Sequence, residues 1–192
     1  MNVSIGVSNR HVHLTKEDLN ILFGEDFELE KRNDLTQQGQ FASTSLVTLK
    51  TQKAEINNVR VLGPVRNYTQ VEISRTDAYH LGINPPVRNS GDLSDSSLIT
   101  IIGPKGSIEV NACIIATRHI HLTKEHLKAY NLEGKETVNV KLNGEKGGII
   151  TNVYLKVSDE AFFELHLDTD DANAHLIKNG DIGEIIWKEK LH

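Results

Sequence analysis

Short runs of alternating apolar and polar residues, separated by turn signals, recur along the chain. Val3–Val7, Ser45–Leu49, Asn58–Leu62, Thr69–Ser74, Leu98–Ile102, Ser107–Val110, Thr137–Leu142 and Gly148–Val153 carry the period-two pattern of half-buried strands. Gly103-Pro104-Lys105-Gly106 marks a turn, and Asn143-Gly144 marks a hairpin between two of these strands. Two places break the alternation with helix-start chemistry. Thr15 and Thr123 each follow a leucine (Leu14, Leu122), and a second leucine (Leu19, Leu127) comes four positions after the threonine. That is the pattern of an N-cap with a hydrophobic staple, and Asp18 occupies the capping-box position where Glu is preferred. The segment Gly24–Thr44 is polar and reads as an insertion; no linker rich in Pro, Gly or Ser divides the chain.

The chain repeats itself. Arg10-His11-Val12-His13-Leu14-Thr15-Lys16-Glu17 returns as Arg118-His119-Ile120-His121-Leu122-Thr123-Lys124-Glu125, with only Val12 and Ile120 differing. An alternating or β-branched segment precedes each copy. Later, Val71-Glu72-Ile73 with Thr76-Asp77-Ala78 parallels Leu165-His166-Leu167 with Asp170-Asp171-Ala172, so Glu72 falls where His166 falls. Two copies in the same order indicate duplicated halves rather than a solenoid. Short strands with brief helices predict a mainly β protein with short capping helices, built as two β-barrel domains related by the internal repeat.

Composition narrows the function classes. With 192 residues, 38% hydrophobic, 24% charged and a net charge of −5, the chain has ordinary globular make-up. It lacks the basic excess of a nucleic-acid binder. Its longest apolar runs, such as Cys113-Ile114-Ile115-Ala116, are too short to span a bilayer. The first residues show no basic stretch followed by an apolar one, which argues against a secretory signal. A single cysteine forbids an intrachain disulfide and points to a reducing cytoplasm. Nine histidines are the unusual number, and their placement carries the chemistry.

In an extended segment, residues i and i+2 point to one side. Each His-x-His therefore presents two imidazoles together while Val12 or Ile120 faces the core. A helix start needs the leucines and the threonine but not Arg-His-x-His, so the doubled block points to metal binding. Two histidines need a third ligand, and Glu72 and His166 are the candidates, each a polar residue between apolar neighbours on a predicted strand. Three protein ligands leave coordination positions open, as in catalytic sites. Arg66, in Gly63-Pro64-Val65-Arg66-Asn67-Tyr68, lies at a strand–loop junction six residues before Glu72. A guanidinium beside metal ions calls for an anion between them, phosphate above all.

Other residues carry less. Arg10 and Arg118 share the parity of Val12 and Ile120 and point away from the imidazoles, and Arg88 reads as a loop residue. Cys113 sits in an apolar strand without a base and reads as a small buried hydrophobe. His126 occupies a helix position, and His80, His175 and His192 have no repeat partner. The glycines of 144–148 form no phosphate-loop or dinucleotide pattern.

Two copies of Arg-His-x-His-Leu-Thr, a Gly-Pro-x-Arg and a later Glu on a strand resemble the phosphate propanoyltransferase family, the phosphotransacylases of propanediol utilisation. The resemblance runs from Val3 to about Trp187. It implies a two-barrel acyltransferase that interconverts acyl-CoA and inorganic phosphate with acyl phosphate and coenzyme A. It also implies two zinc ions, replaceable by cobalt, with phosphate attacking the thioester directly. Carried over by position, one ion falls to His11, His13 and His166 and the other to Glu72, His119 and His121, so the halves exchange third ligands. Arg66 takes the phosphate-positioning role. The coenzyme A contacts fall on Ser8, Arg60, Leu62, Tyr79 and Asn173, with a further basic contact from Lys31 or Arg32. The first strand is expected to cross into the other barrel, giving domains of 1–9 with 118–192 and of 10–117 with the insertion 24–44. Relatives packaged in microcompartments carry an amphipathic N-terminal extension; here the first strand starts near Met1, which implies a free cytoplasmic enzyme. Nucleic acid and membrane are not expected partners, and a homo-oligomer is compatible with the sequence. The rival reading is a two-metal phosphoester or thioester hydrolase, with water replacing phosphate.

Overall fold

The structure, a computed structural model, describes residues 1–186. Two sequence features, the end of the resemblance at Trp187 and the unpaired His192, lie outside the described residues. The chain divides into two compact units, one of Asn9–Ala116 and one of Met1–Ser8 with the chain from Thr117 onwards. The fold is mainly β with short helices, and each unit forms one β-barrel, two in all.

In the Asn9–Ala116 unit, six strands close a ring: β2 (His11–His13), β5 (Glu55–Gly63), β4 (Phe41–Lys50), β8 (Ser97–Ile102), β9 (Ser107–Ala116) and β6 (Gln70–Glu72), which returns to β2. A short β3 (Lys31–Asp34) pairs with the start of β4, and β7 (Val87–Arg88) runs parallel to the end of β9. The other unit closes the same ring from β10 (His119–Leu122), β12 (Gly148–Val157), β11 (Thr137–Leu142), β14 (Ile182–Ile186), β1 (Asn2–Ser8) and β13 (Glu164–Asp168). Strand for strand, β10 answers β2, β12 answers β5, β13 answers β6, and β1 answers β9. Thus β1, which leads directly into β2 along the chain, belongs to the ring of β10, and β9, which leads into β10, belongs to the ring of β2.

The alternation read from the sequence sorts the faces. Val12, Val47, Leu49, Val59, Val61, Val71, Ile99 and Ile101 fill one barrel with Leu14, Leu19 and Leu22. Val3, Ile5, Ile120, Leu122, Val138, Val140, Leu142, Val153, Leu165 and Leu167 fill the other. Each such side chain taken from water contributes roughly 1.5–3 kcal/mol. The intervening residues, including both His-x-His pairs, are left on the outer faces of the strands.

Each motif ends in a capped helix. The Thr15 hydroxyl accepts from the Asp18 N–H and starts α1 (Lys16–Phe23); Thr123 accepts from the His126 N–H and starts α3 (Lys124–Ala129). The reciprocal half of the capping box differs from expectation in the first copy: the Asp18 carboxylate accepts from the Thr69 hydroxyl instead. In the second, His126 Nδ1 takes the Thr123 N–H at 3.1 Å. The strand expected over Thr69–Ser74 stops at Glu72, because Ser74 caps α2 (Arg75–Leu81). Its counterpart, α4 (Thr169–Ala174), is capped by Asp168. The insertion 24–44 contributes β3 and the first residues of β4, with turns and irregular chain between and before them.

Candidate metal centres and active site

Register brings the motif to its third residue. In the first barrel, β2 and β6 are antiparallel with His11 opposite Glu72, and β5 runs parallel on the other side with Arg60 opposite His11. In the second, β10 and β13 are antiparallel with His119 opposite His166, and Tyr154 of β12 lies beside His119. Residues opposite each other across a ladder share a face. The candidate ligand atoms of His11, His13 and Glu72 lie within 4.8 Å of one another, and so do those of His119, His121 and His166. This grouping differs from the exchanged sets drawn from the resemblance, which join each third residue to the histidine pair of the other half. Each third residue sits with the histidine pair of its own half, because strand pairing within a barrel puts it there.

The histidine pair of each cluster is buried, and Glu72 and His166 are partly exposed. The four motif histidines are at most 9% exposed. His11 and His13 meet edge to face with ring centroids 5.1 Å apart, and His11 Nε2 lies 3.5 Å from Glu72 Oε2. In the second cluster the His119–His121, His119–His166 and His121–His166 centroids are 4.8, 5.2 and 4.6 Å apart. His119 Nε2 and His121 Nε2 approach to 3.1 Å. Burial first, then the neighbouring His166, His119 and Lys156, pushes His121 down to about 2, so its ring is neutral and offers a lone pair.

The support of the leading histidine is the same in both halves. His11 Nδ1 contacts the Asn9 carbonyl and His119 Nδ1 the Thr117 carbonyl, each at 2.8 Å. A carbonyl only accepts, so Nδ1 carries the hydrogen and Nε2 is left as the donor atom, the arrangement a ligating imidazole needs. Two imidazoles with a carboxylate, and three imidazoles, are donor sets that suit a divalent transition ion, zinc among them. The residues therefore fit such an ion in both barrels.

Arg66 stands at the His13 end of β2. Its backbone N–H donates to the Leu14 carbonyl at 2.8 Å, tying the loop after β5 to the residue that follows His13. The half-buried guanidinium donates to the Tyr68 hydroxyl at 3.2 Å and lies 5.8 Å from that ring's centroid. Of the expected coenzyme A contacts, Arg60 and Leu62 share the outer face of β5, and Arg60 Nη1 donates to the Ser43 carbonyl at 2.9 Å. Tyr79 is 79% exposed on α2, with Lys53 Nζ 5.1 Å from its ring centroid. Ser8 ends β1 and Asn173 lies on α4, both in the other unit. Lys31 and Arg32 lie exposed on β3, Lys31 paired with Asp34 at 2.9 Å.

Two residues that the sequence reading did not single out also contact the clusters. Gln70 Nε2 donates to Glu72 Oε1 at 2.6 Å, and Glu164 Oε2 lies 2.7 Å from His166 Nε2. Each sits two residues before the candidate third ligand, and this i, i+2 spacing on one strand was the available signal.

Comparison with known proteins places this arrangement. Residues 4–178 match the family described as phosphate propanoyltransferase. A phosphate propanoyltransferase of Thermotoga maritima is 47% identical over 186 residues, covering 96% of this chain and 89% of the relative. One from Priestia megaterium is 47% identical over 191 residues, covering 98% and 88%, and one from Listeria monocytogenes is 40% identical over 189 residues, covering 98% and 89%. The duplicated barrels with their clustered imidazoles are therefore those of an acyltransferase. The chain belongs to the phosphate propanoyltransferase family and is an enzyme with phosphate acyltransferase activity. Among the described residues, no helix is long and apolar enough to cross a membrane.

Proposed function

We propose that this enzyme interconverts a short-chain acyl-CoA, propionyl- or acetyl-CoA, plus phosphate with the acyl phosphate plus coenzyme A, at two zinc ions. The observation that supports the reading is the doubled register, His11 opposite Glu72 and His119 opposite His166, which gathers two similar but unequal sets of candidate ligands in a phosphate acyltransferase. His11, His13 and Glu72 would hold one ion, and His119, His121 and His166 the other. Bound zinc supplies Lewis acidity, neutralising anionic oxygen and polarising a carbonyl.

The chain's own residues do the rest. Arg66, anchored through its backbone to Leu14, orients phosphate through its planar fork, gaining rate by positioning and by charge stabilisation. A phosphate oxygen forms the new bond to the thioester carbonyl carbon, and the carbon–sulfur bond breaks with its electron pair leaving on coenzyme A sulfur. No protein nucleophile takes part in this scheme. The coenzyme A contacts are assigned to Ser8, Arg60, Leu62, Tyr79 and Asn173.

The test is thiol release from acetyl-, propionyl- and butyryl-CoA with and without phosphate. Release that depends on phosphate, with acyl phosphate formed in equal amount, is the expected result. Equal release without phosphate overturns the reading in favour of a hydrolase.

A further inference from the structure

We propose that Glu164 is a positioning residue for His166, and that Gln70 holds the corresponding place behind Glu72. The inference rests on reading the two clusters as metal centres, and it assigns each of them a side-chain support on its own strand.

Gln70-Val71-Glu72 on β6 and Glu164-Leu165-His166 on β13 are equivalent in the repeat, with the middle residue in the core and the flanking two on the outer face. Glu164 is 5% exposed, and a carboxylate so buried needs specific partners. It meets His166 Nε2 at 2.7 Å. A carboxylate accepts, so with this bond in place Nε2 carries the hydrogen and the ring's lone pair is on Nδ1. A ligating histidine held by a carboxylate through its other nitrogen has a fixed orientation and a more basic donor atom.

The neighbouring strand leaves room for this pair. Gly6 of β1 is in register with His166. A Cβ there would come 2.9 Å from Glu164 Oε2 and 3.1 Å from His166 Cδ2, so the glycine's missing side chain is what admits the contact.

Gln70 is fully buried and its amide orientation is set on both sides. Its Oε1 accepts from the Gly91 N–H at 2.8 Å; its Nε2 donates to Glu72 Oε1 at 2.6 Å and to Ser90 Oγ at 3.0 Å. That grip on Oε1 turns Oε2 of Glu72 toward His11. The two supports are chemically exchanged. One centre has its carboxylate as a candidate ligand backed by an amide; the other has an imidazole backed by a carboxylate. Each half thus brings one carboxylate to its cluster, as a candidate ligand in the first and as the support of one in the second.

The experiment titrates metal-free full-length protein with zinc against a chromophoric chelator, and with cobalt while following its visible absorption. Glu164→Ala should weaken one of the two ions by about 10–100-fold and alter the cobalt spectrum of that ion alone. Glu164→Gln, which can still accept from the ring, should weaken it less. Gln70→Met should weaken the other ion and leave the first unchanged. A support that matters only for folding would lower the melting temperature of the metal-free protein and leave both affinities as they were. Unchanged affinities and spectra in the Glu164 variants overturn the inference. Should Glu164→Ala fail to fold, Glu164→Gln and Gly6→Ala, which crowds the pair from β1, carry the same readout. Wild-type protein that binds neither ion overturns the metal reading itself, an outcome distinct from two ions bound with equal strength in wild type and variants.

Discussion

Arg118 grips both carboxylate oxygens of Asp171, Nε to Oδ2 and Nη2 to Oδ1, each at 2.7 Å. The first copy repeats the relationship, with Arg10 Nε 3.0 Å from Asp77 Oδ2. In each half the arginine that opens the doubled motif thus reaches the first turn of the helix after the third candidate ligand. The carboxylate it meets belongs to that helix's third residue, whose backbone N–H is already held by the N-cap, Asp168 or Ser74. The two ends of each cluster are tied together this way, and the arginines are kept off the imidazole face.

Asp171→Ala should therefore lower stability by about 1–2 kcal/mol, the value of a charge-assisted pair after allowance for its partial exposure. Urea unfolding of the metal-free protein measures it, and a double-variant cycle with Arg118→Ala should return most of that loss as coupling. A loss no greater for Asp171→Ala than for an exposed aspartate such as Asp95 would contradict the linkage.

Arg66→Ala should leave metal content intact and cut turnover about a hundredfold or more, the usual loss when a contact to a transferring oxyanion is removed. The Michaelis constant for phosphate should rise, while that for acyl-CoA changes little. Initial rates at limiting and saturating phosphate separate these. Near-normal turnover at limiting phosphate would remove Arg66 from the chemistry.

How much of this was legible in the sequence depends on the kind of contact. Period-two alternation located β11 at Thr137–Leu142 as observed, and it found the cores of β4, β5, β8, β9 and β12. It could not reveal β3, whose Lys-Arg-Asn-Asp is exposed on both faces, nor α2 and α4, which are too short to develop a helical period. The repeat pointed to Glu72 and His166, but the neighbours each has across its own barrel depend on strand register over some sixty or fifty intervening residues, which spacing does not encode. Gln70 and Glu164 escaped notice for a related reason. Each looks like the polar first residue of a strand until its partner two positions on is known to face a cluster.

Cys113 is fully buried on β9, in register with Val71. Burial, reinforced by the charge of Asp77, pushes its thiol up to about 12. The thiolate is the reactive form, so the native protein should resist aromatic disulfide reagents from pH 7 to 9. One equivalent of thiol should appear in guanidinium. Turnover should survive prolonged exposure to iodoacetamide. Rapid native labelling at pH 8 would show that the site opens.

The grouping of ligands within each half makes a sharper claim than metal content alone. Single variants, Glu72→Ala or His166→Ala, should each cost one ion and spare the other, which an exchanged arrangement predicts equally well. Paired variants separate the two. If His11, His13 and Glu72 hold one ion, adding His11→Ala to Glu72→Ala strikes the same centre twice and the second ion stays bound. Adding His11→Ala to His166→Ala strikes both centres, and neither ion survives dialysis. The exchanged arrangement reverses these outcomes. Elemental analysis after reloading with zinc reads the result directly, and circular dichroism confirms that both pairs of variants are folded. One ion retained by the His11, His166 pair and none by the His11, Glu72 pair would overturn the grouping set by the β2–β6 and β10–β13 registers.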